Sequence, residues 1–142
     1  MRLEEPVRLE IDPERARRLS ALGIGVLLDV REDWEREAEG VWPGTLPFPL
    51  FAVKAALSCP LTPEETEALD LPLEEAKARG AAALARLERL LAEEDAPLLF
   101  CLCNRGERSR TAALLLRSLG QADAYSVKGG WRTFPPGSFT FS

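Results

Sequence analysis

The chain has 142 residues, a formal net charge of −5 and no histidine. This length predicts one domain, spanning 1–142, that can bury a core without disulfides or a structural metal. The lack of histidine excludes Cys-His and Ser-His activation of a nucleophile, and it excludes histidine-ligated zinc. The negative charge argues against a nucleic-acid partner bound through bulk electrostatics.

The sequence also carries signals of location. No apolar run approaches the roughly 20 residues that span a bilayer, and the amino terminus has no signal-peptide pattern. Three cysteines, an odd number, argue against a disulfide framework. We therefore expect a cytoplasmic protein with no membrane partner. Arginine far outnumbers lysine, proline is frequent, and Asn104 and Gln121 are the only side-chain amides, which favours a thermophilic source.

Apolar patterning, caps and glycines predict the elements of the first third of the chain. They are a strand at 7–11, a helix from its cap Asp12 to about Leu22, a central strand at 24–30, a helix from Asp33 to about Ala38, and a short edge strand near Phe48. We interpret Glu35, Glu37 and Glu39 as a solvated acidic face of the second helix. Asp29 lies near the end of the central strand, where parallel sheets place functional groups.

The segment 51–96 is predicted to be helical. Thr62 and Pro63 mark a capped helix start, and a longer helix is expected from about Pro72 to about Glu94. Its inward face, at steps of three and four residues, comprises Leu73, Ala76, Gly80, Leu84, Leu87 and Leu91. A glycine on that face, Gly80, indicates either close packing or a break in the helix.

The last third of the chain begins with an apolar strand at Leu98–Leu102. A polar loop follows, and then a helix capped by Ser109 and ended by Gly120. Its inward residues are predicted to be Ala112, Leu115, Leu116 and Leu119. A short strand at 124–127 and a tight Gly129-Gly130 turn beside the loop come next, and the tail from Trp131 is expected on the surface. Alternating strands and helices predict an α/β fold, a central parallel sheet with helices on both faces.

Cys103 is the candidate nucleophile because it lies between the end of a strand and the start of a helix. Unpaired N–H groups at a helix start stabilise an anion, so a thiol there is activated. The loop and the helix start add Arg105, Arg108 and Arg110. A buried structural thiol is the alternative. Cys101 points to the same side of the strand but lies deeper, and we interpret it as a core residue.

Four motifs occur in the order found in the rhodanese-like sulfurtransferases. The loop CNRGERS at 103–109 resembles the active-site loop of that family. The segment DVREDWE at 29–35 resembles its DVRE motif, and GVWPGTLPFPL at 40–50 resembles its GHIPGAINIPL motif. The stretch from Gly120 to Gly130 is similar to its glycine-terminated closing segment. Together these motifs cover roughly residues 24–134.

The resemblance implies a rhodanese-like fold and a sulfurtransferase that moves a sulfane sulfur through a Cys103 persulfide. It implies that the loop binds the substrate, with the residues Asn104, Arg105, Gly106, Glu107, Arg108 and Ser109. Asp29 and Arg31 would be supporting residues, and Arg108 would face the bound anion or hold the loop. No cofactor and no metal are implied. The partners would be a small anionic donor such as thiosulfate or a protein persulfide, and a thiol acceptor.

Other interpretations remain open on the sequence. A rhodanese-fold interaction module without catalysis is the first, although such modules have often lost the nucleophile. A sulfur or selenium carrier for tRNA modification is the second. The segment 51–96 is longer than is usual in the family, and we hypothesise that it forms one wall of the site mouth. The physiological donor and acceptor and the oligomeric state are not indicated.

Overall fold

The fold is an α/β fold built on a parallel five-stranded sheet. The structure, a computed structural model, describes residues 8–93 and 95–134. Within these residues the five strands are β1 Glu10–Ile11, β2 Gly25–Asp29, β3 Leu46–Pro47, β4 Leu98–Leu102 and β5 Ala124–Val127, in the spatial order β1-β5-β4-β2-β3. The helices are α1 Pro13–Ala21, α2 Asp33–Glu39, α3 Leu50–Ala56, α4 Pro63–Leu69, α5 Leu73–Leu91, α6 Glu107–Ser118, and a 3-10 helix η1 at Gly130–Thr133.

Helices cover both faces of the sheet, as the alternation of elements predicted. Side chains alternate along β4, so Leu99 and Cys101 pack in one core with residues of α3, α5 and α6. Phe100 and Leu102 point the other way and pack in a second core with Ala16 of α1. No helix in the described part of the chain has the length and apolarity to cross a bilayer.

The close packing that Gly80 indicated is confirmed, and α5 runs through it without a break. A Cβ built at Gly80 would lie 2.0 Å from the backbone oxygen of Ala52 in α3. The hydrogen atom of glycine is thus what lets the two helices touch.

Gly80→Ala is therefore expected to destabilise the protein, because two backbones would have to move apart. We expect the free energy of unfolding to fall by roughly 1–3 kcal/mol, as for other overpacked cores. Ala82→Gly, at an exposed position of the same helix, is the control and should cost no more than about 1 kcal/mol. Urea unfolding measures both, and a stable Gly80→Ala variant would contradict the packing.

Several sequence-based boundaries and inward positions are wrong. The first strand is only Glu10–Ile11, and Val7 lies outside the described residues. Leu73 and Leu119, at the ends of α5 and α6, are about half exposed because each helix extends past the core there. The small residues Ala83 and Ala113 are buried in the core and were not predicted.

The tail was also placed wrongly, as far as it is described. Trp131 and Phe134 are buried in the second core, with their rings 5.9 Å apart. Residues 135–142 lie outside the described part of the chain. The aromatic rings bury large apolar areas, and this favours packing against α1 over a surface position.

Helix starts follow capping chemistry with two corrections. Asp12 caps α1 and Thr62 caps α4, as predicted. α2, however, begins after Glu32, one residue before the predicted cap Asp33. α6 begins after Gly106, so Ser109 is the third residue of the helix and not its cap.

Candidate active site

Cys103 lies directly after β4, and its sulfur accepts hydrogen bonds from two backbone amides. The donors are the N–H of Gly106, at 3.0 Å, and the N–H of Ser109, at 3.4 Å. Both bonds stabilise negative charge on the sulfur, because amide donors favour the charged form of an acceptor. The thiol is buried, so the protein amides replace water as its partners.

The start of α6 at Glu107, after the cap residue Gly106, explains this geometry. Gly106 has φ of 103°, a left-handed conformation that glycine adopts without strain. The chain therefore turns back over the sulfur and enters the helix at Glu107. Ser109 then supplies one of the first amides of the helix, which have no partner within it.

The hydroxyl of Ser109 belongs to a buried polar cluster under the sulfur. It lies 3.5 Å from the sulfur of Cys103 and donates to the carbonyl of Gly106 at 3.1 Å. It also shares a 2.7 Å hydrogen bond with the hydroxyl of Ser126, which is fully buried on β5. Ser126 was not predicted as part of the site. A serine inside the short apolar strand at 124–127 could have indicated a buried polar contact there.

Arg108 lines the cavity in front of the sulfur, but its guanidinium is bound by a carboxylate. Its guanidinium binds both oxygens of Glu35, from α2, and the second of these bonds is 2.8 Å long. The Arg108 guanidinium also lies 6.0 Å from the ring centre of Phe51 at the start of α3. Glu35 is buried, so its interpretation as part of a solvated face is wrong, whereas Glu37 and Glu39 are exposed as expected.

Two buried carboxyls with opposite pKa shifts flank Arg108. Burial acts to raise the pKa of Glu35, but hydrogen bonds from Arg108 and from the Glu32 amide outweigh it, and the pKa is lowered. Burial raises the pKa of Glu32 from 4.5 to about 7, although the Phe51 and Ala52 amides and Arg108 act against this. Glu35 is therefore ionised at neutral pH, whereas Glu32 titrates close to pH 7.

Glu32 should make the stability fall as the pH rises. Its folded pKa lies above its ordinary value, so between pH 4.5 and about 7 the folded state binds more protons than the unfolded state. The free energy of unfolding then decreases across this window, by roughly 1–3 kcal/mol. Glu32→Gln keeps an acceptor for the Phe51 amide, 3.0 Å away in the native protein, and should remove the decrease.

Urea unfolding of both proteins below pH 4.5 and above pH 7 measures this effect. The lowered pKa of Glu35 acts in a separate window, since that contribution is lost only as the pH falls below the ordinary carboxyl value. A variant with an unchanged pH profile across the upper window would refute the assignment to Glu32.

Asp29 and Arg31 form a buried ion pair at the end of β2. The guanidinium of Arg31 donates to both Asp29 oxygens, at 3.0 and 2.8 Å, and to the carbonyl of Gly40 at 2.8 Å. Arg36 of α2 also donates to Asp29, at 3.1 Å. The pair therefore joins β2 to α2 and the segment after it. The guanidinium of Arg31 also lies 4.5 Å above the ring centre of Trp131.

The Gly129-Gly130 turn lies against the loop that follows Cys103, as predicted. The amide of Trp131 donates to the carbonyl of Cys103 at 2.8 Å. A Cβ built at Gly130 would lie 2.3 Å from that carbonyl oxygen, so only glycine allows the approach. This turn fixes η1 relative to Cys103.

A cavity of about 390 Å³ opens in front of Cys103. Its described lining residues are Cys103, Asn104, Arg105, Glu107, Arg108 and Arg132. None of them belongs to 51–96, so the hypothesis that this segment walls the mouth is wrong for the described residues. The segment packs under the sheet instead, and its contact near the site is Phe51 against Arg108.

The other cysteines differ from Cys103. Burial, and then the nearby Cys103, raises the pKa of the Cys101 thiol, which lies in the core as expected. Cys59 is partly exposed in the loop after α3. Within 8–93 and 95–134, no group of three or more cysteine, aspartate and glutamate side chains is arranged to hold a metal ion.

Comparison with known proteins agrees with this geometry. The chain matches the family described as Rhodanese-like domain over residues 12–134. No curated protein matches it in sequence. It is similar to the structure of the human single-domain sulfurtransferase TSTD1, with a TM-score of 0.56 and 28% identity, over 89% of this chain and 94% of that one.

A second solved structure is similar in fold. It is a protein of unknown function from Rhodopseudomonas palustris CGA009, described as a possible tyrosine phosphatase. The TM-score is 0.54 with 18% identity, over 88% of this chain and 80% of that one. The family match covers most of the chain and includes four of the five described strands and the loop around Cys103. The protein therefore belongs to the rhodanese-like domain family.

Proposed function

We propose that this protein is a sulfurtransferase that carries a sulfane sulfur on Cys103. The observation that carries the proposal is the position of the Cys103 sulfur, which accepts the amides of Gly106 and Ser109 at the start of α6. A thiolate in this position is stabilised without histidine, which the chain lacks. The open cavity in front of it admits a small donor.

The loading step transfers one sulfur atom and no net electrons to or from a cofactor. The Cys103 thiolate attacks the outer sulfur of thiosulfate, a new sulfur–sulfur bond forms, and the donor's sulfur–sulfur bond breaks. Its electron pair leaves with sulfite. The terminal sulfur of the resulting persulfide is an anion, and the loop whose Gly106 and Ser109 amides donate to the Cys103 sulfur would stabilise it.

The unloading step regenerates the enzyme. A nucleophile, cyanide in an assay or a thiolate in the cell, attacks the outer sulfur of the persulfide. The sulfur–sulfur bond breaks, and its electron pair returns to Cys103 as thiolate. Cyanide becomes thiocyanate, and a thiolate becomes a persulfide. No proton has to move onto the leaving group, which suits a site without histidine.

Mass spectrometry of the intact protein after incubation with thiosulfate tests the proposal. We expect the mass to increase by one sulfur atom, the increase to map to the peptide that contains Cys103, and cyanide to remove it with release of thiocyanate. An adduct that maps to Cys101 or Cys59 would overturn the assignment. Absence of any adduct would favour the alternative of a non-catalytic interaction module.

The loop is also expected to exclude phosphatase activity. Cysteine phosphatases of related fold use C-x5-R, whereas Cys103 and Arg108 form C-x4-R. The guanidinium of Arg108 is moreover already bound to both carboxylate oxygens of Glu35. We expect negligible hydrolysis of aryl phosphates, measured with a chromogenic ester, and slower sulfur transfer when a glycine is inserted between Glu107 and Arg108. Phosphate-ester hydrolysis that depends on Cys103 would defeat this expectation.

A further inference from the structure

A buried pair of serine hydroxyls lies beneath the sulfur of Cys103. Ser109 is the third residue of α6, Ser126 lies on β5, and both side chains are fully buried. The register of β5 on β4 places Ser126 beside Cys101, two residues before the nucleophile. The two hydroxyl oxygens are 2.7 Å apart, which is the usual length of a hydrogen bond between hydroxyls.

The contacts of this pair determine which serine donates. Ser109 has one hydroxyl hydrogen, and it is given to the carbonyl of Gly106 at 3.1 Å. The hydrogen between the two hydroxyls must therefore come from Ser126. In the described part of the chain, the Ser126 hydroxyl has no hydrogen-bond partner except Ser109, so no other acceptor competes for its hydrogen. Ser109 thus accepts from Ser126 and keeps its own hydrogen for the loop.

The hydrogen of Ser109 has two acceptors within reach, the Gly106 carbonyl and the Cys103 sulfur, which lies 3.5 Å from the Ser109 oxygen. While Cys103 is a thiol, its S–H donates to the Ser109 oxygen, and the Ser109 hydrogen stays on the carbonyl. Once Cys103 is a thiolate, rotation of the Ser109 hydroxyl gives the sulfur a third donor besides the two amides. The Gly106 carbonyl keeps the amide of Arg110 at 3.3 Å, so the rotation leaves it with a partner.

We infer that Ser126 is a positioning residue for the nucleophile: its hydroxyl donates to Ser109 and so makes the Ser109 hydroxyl a donor to the Cys103 thiolate. A hydroxyl that accepts a hydrogen bond is itself a stronger donor, because the two bonds polarise each other. The bond from β5 also holds the Ser109 oxygen within reach of the sulfur. The inference concerns the thiol itself, whereas its effect on sulfur transfer rests on the proposed function.

Other titratable and charged groups also surround the sulfur. Cys101 precedes it on the strand, and Arg108 interacts with it electrostatically from α6. The described lining of the cavity adds Arg105, Glu107 and Arg132. All five stay unchanged in the serine variants, so a changed reactivity of the thiol can be assigned to the serines.

The pH profile of Cys103 alkylation by iodoacetamide tests the inference. The thiolate is the reactive form, so the midpoint of the profile reports how well the site holds a negative charge. Peptide mass spectrometry assigns the adduct to Cys103 and separates it from adducts of Cys59 and Cys101. No sulfur donor is needed, so the measurement is independent of the proposed function.

The variants isolate the hydroxyl of Ser126. They are Ser109→Ala, Ser126→Ala and the double variant, together with the pair Ser126→Thr and Ser126→Val. Threonine and valine share a shape and differ in the hydroxyl, so any crowding at this buried position is common to both. Ser118→Ala is the control, because its hydroxyl donates to the carbonyl of Leu115 at the far end of α6.

Loss of the Ser109 donor should raise the midpoint by about one pH unit, as expected for one hydrogen bond to a charged group. Ser126→Ala and Ser126→Val should raise it by about half as much, because the Ser109 donor is weakened and not removed. Ser126→Thr and Ser118→Ala should keep the native midpoint. The double variant should match Ser109→Ala, because Ser126 then has no hydroxyl to act through.

Additive changes in the double variant would overturn the inference, since Ser126 would then act on the sulfur by another route. Equal midpoints for Ser126→Thr and Ser126→Val, or a native midpoint for Ser126→Ala, would also refute it. Matching circular dichroism spectra of the variants and the native protein guard against a folding defect.

The outcomes also separate this inference from the proposed function. If the midpoints change as expected and thiosulfate adds no sulfur to the native protein, the role of Ser126 stands and the sulfurtransferase function fails. If thiosulfate loads Cys103 and the midpoint does not respond to Ser126, the function stands and the role of Ser126 is refuted.

Discussion

Cys103→Ser is expected to abolish sulfur loading and to reduce conversion of cyanide to thiocyanate to the uncatalysed background. A serine hydroxyl is a far weaker nucleophile than a thiolate at neutral pH, and the loop amides of Gly106 and Ser109 cannot compensate for that difference. The variant should fold normally, because serine is smaller than cysteine and the same amides can bind its hydroxyl. Intact-protein mass spectrometry and a thiocyanate assay measure the loss.

The two other cysteines provide matched controls. Cys59→Ser, at a partly exposed position, should load like the native protein. Cys101→Ala is preferable to serine at the fully buried position, because a hydroxyl there would lack a partner. It should keep the loading reaction even if the small cavity lowers stability. Loading that survives in Cys103→Ser and disappears in Cys101→Ala would show that the nucleophile had been assigned to the wrong thiol.

Asp29→Ala is expected to have the largest effect on stability. Asp29 is fully buried, and its carboxylate accepts hydrogen bonds from the side chains of Arg31 and Arg36. Without it, the buried guanidinium of Arg31 would keep only the longer ion pair, 3.4 Å, with the exposed Glu39. Breaking a buried ion pair in this way typically costs about 3–5 kcal/mol. Urea unfolding should show a loss of this size, and Asp29→Asn, which keeps one acceptor oxygen, should lose less.

A surface ion pair provides the control for this experiment. Asp33 binds Arg79 at 2.7 Å, and the two side chains are 32% and 43% exposed. Solvent screens such a pair, so Asp33→Ala should lower the free energy of unfolding by no more than about 1 kcal/mol. Equal losses for Asp29→Ala and Asp33→Ala would mean that the buried network contributes no more than a surface contact.

Local patterns were sufficient to predict most of the architecture. The alternation of apolar strands with amphipathic helices predicted the parallel sheet with two covered faces. Caps such as Asp12 and Thr62 marked helix starts, because their chemistry acts within three or four residues. Gly80 indicated either close packing or a break, and the structure shows the packing. The Gly129-Gly130 turn was predicted beside the loop and lies there, because a missing Cβ permits a close approach of two backbones.

The position of Cys103 between a strand and a helix is likewise a local feature, and so is the turn at Gly106. The residue at which α6 begins, however, does not follow from local patterns alone. Serine is a common cap, and so the pattern predicted a helix start at Ser109. Gly106 instead occupies the cap position, because the loop must turn over the sulfur and bring the Ser109 amide to it. The choice between two helix starts three residues apart therefore depends on the acceptors that the first amides of the helix can bind.

The partners of the charged and polar groups depended on tertiary structure alone. Arg108 and Glu35 lie 73 positions apart, and no periodicity in the chain indicates that they meet. Ser126 reaches Ser109 only because β5 pairs with β4, and Arg132 reaches the mouth only because the glycine turn folds η1 back onto Cys103. The sequence by itself determined the elements and the position of the candidate thiol between a strand and a helix, since these follow from short-range sterics and capping. Which cation is neutralised and which stays exposed at the mouth was decided by packing, because that depends on which helices and loops meet around the ends of the strands.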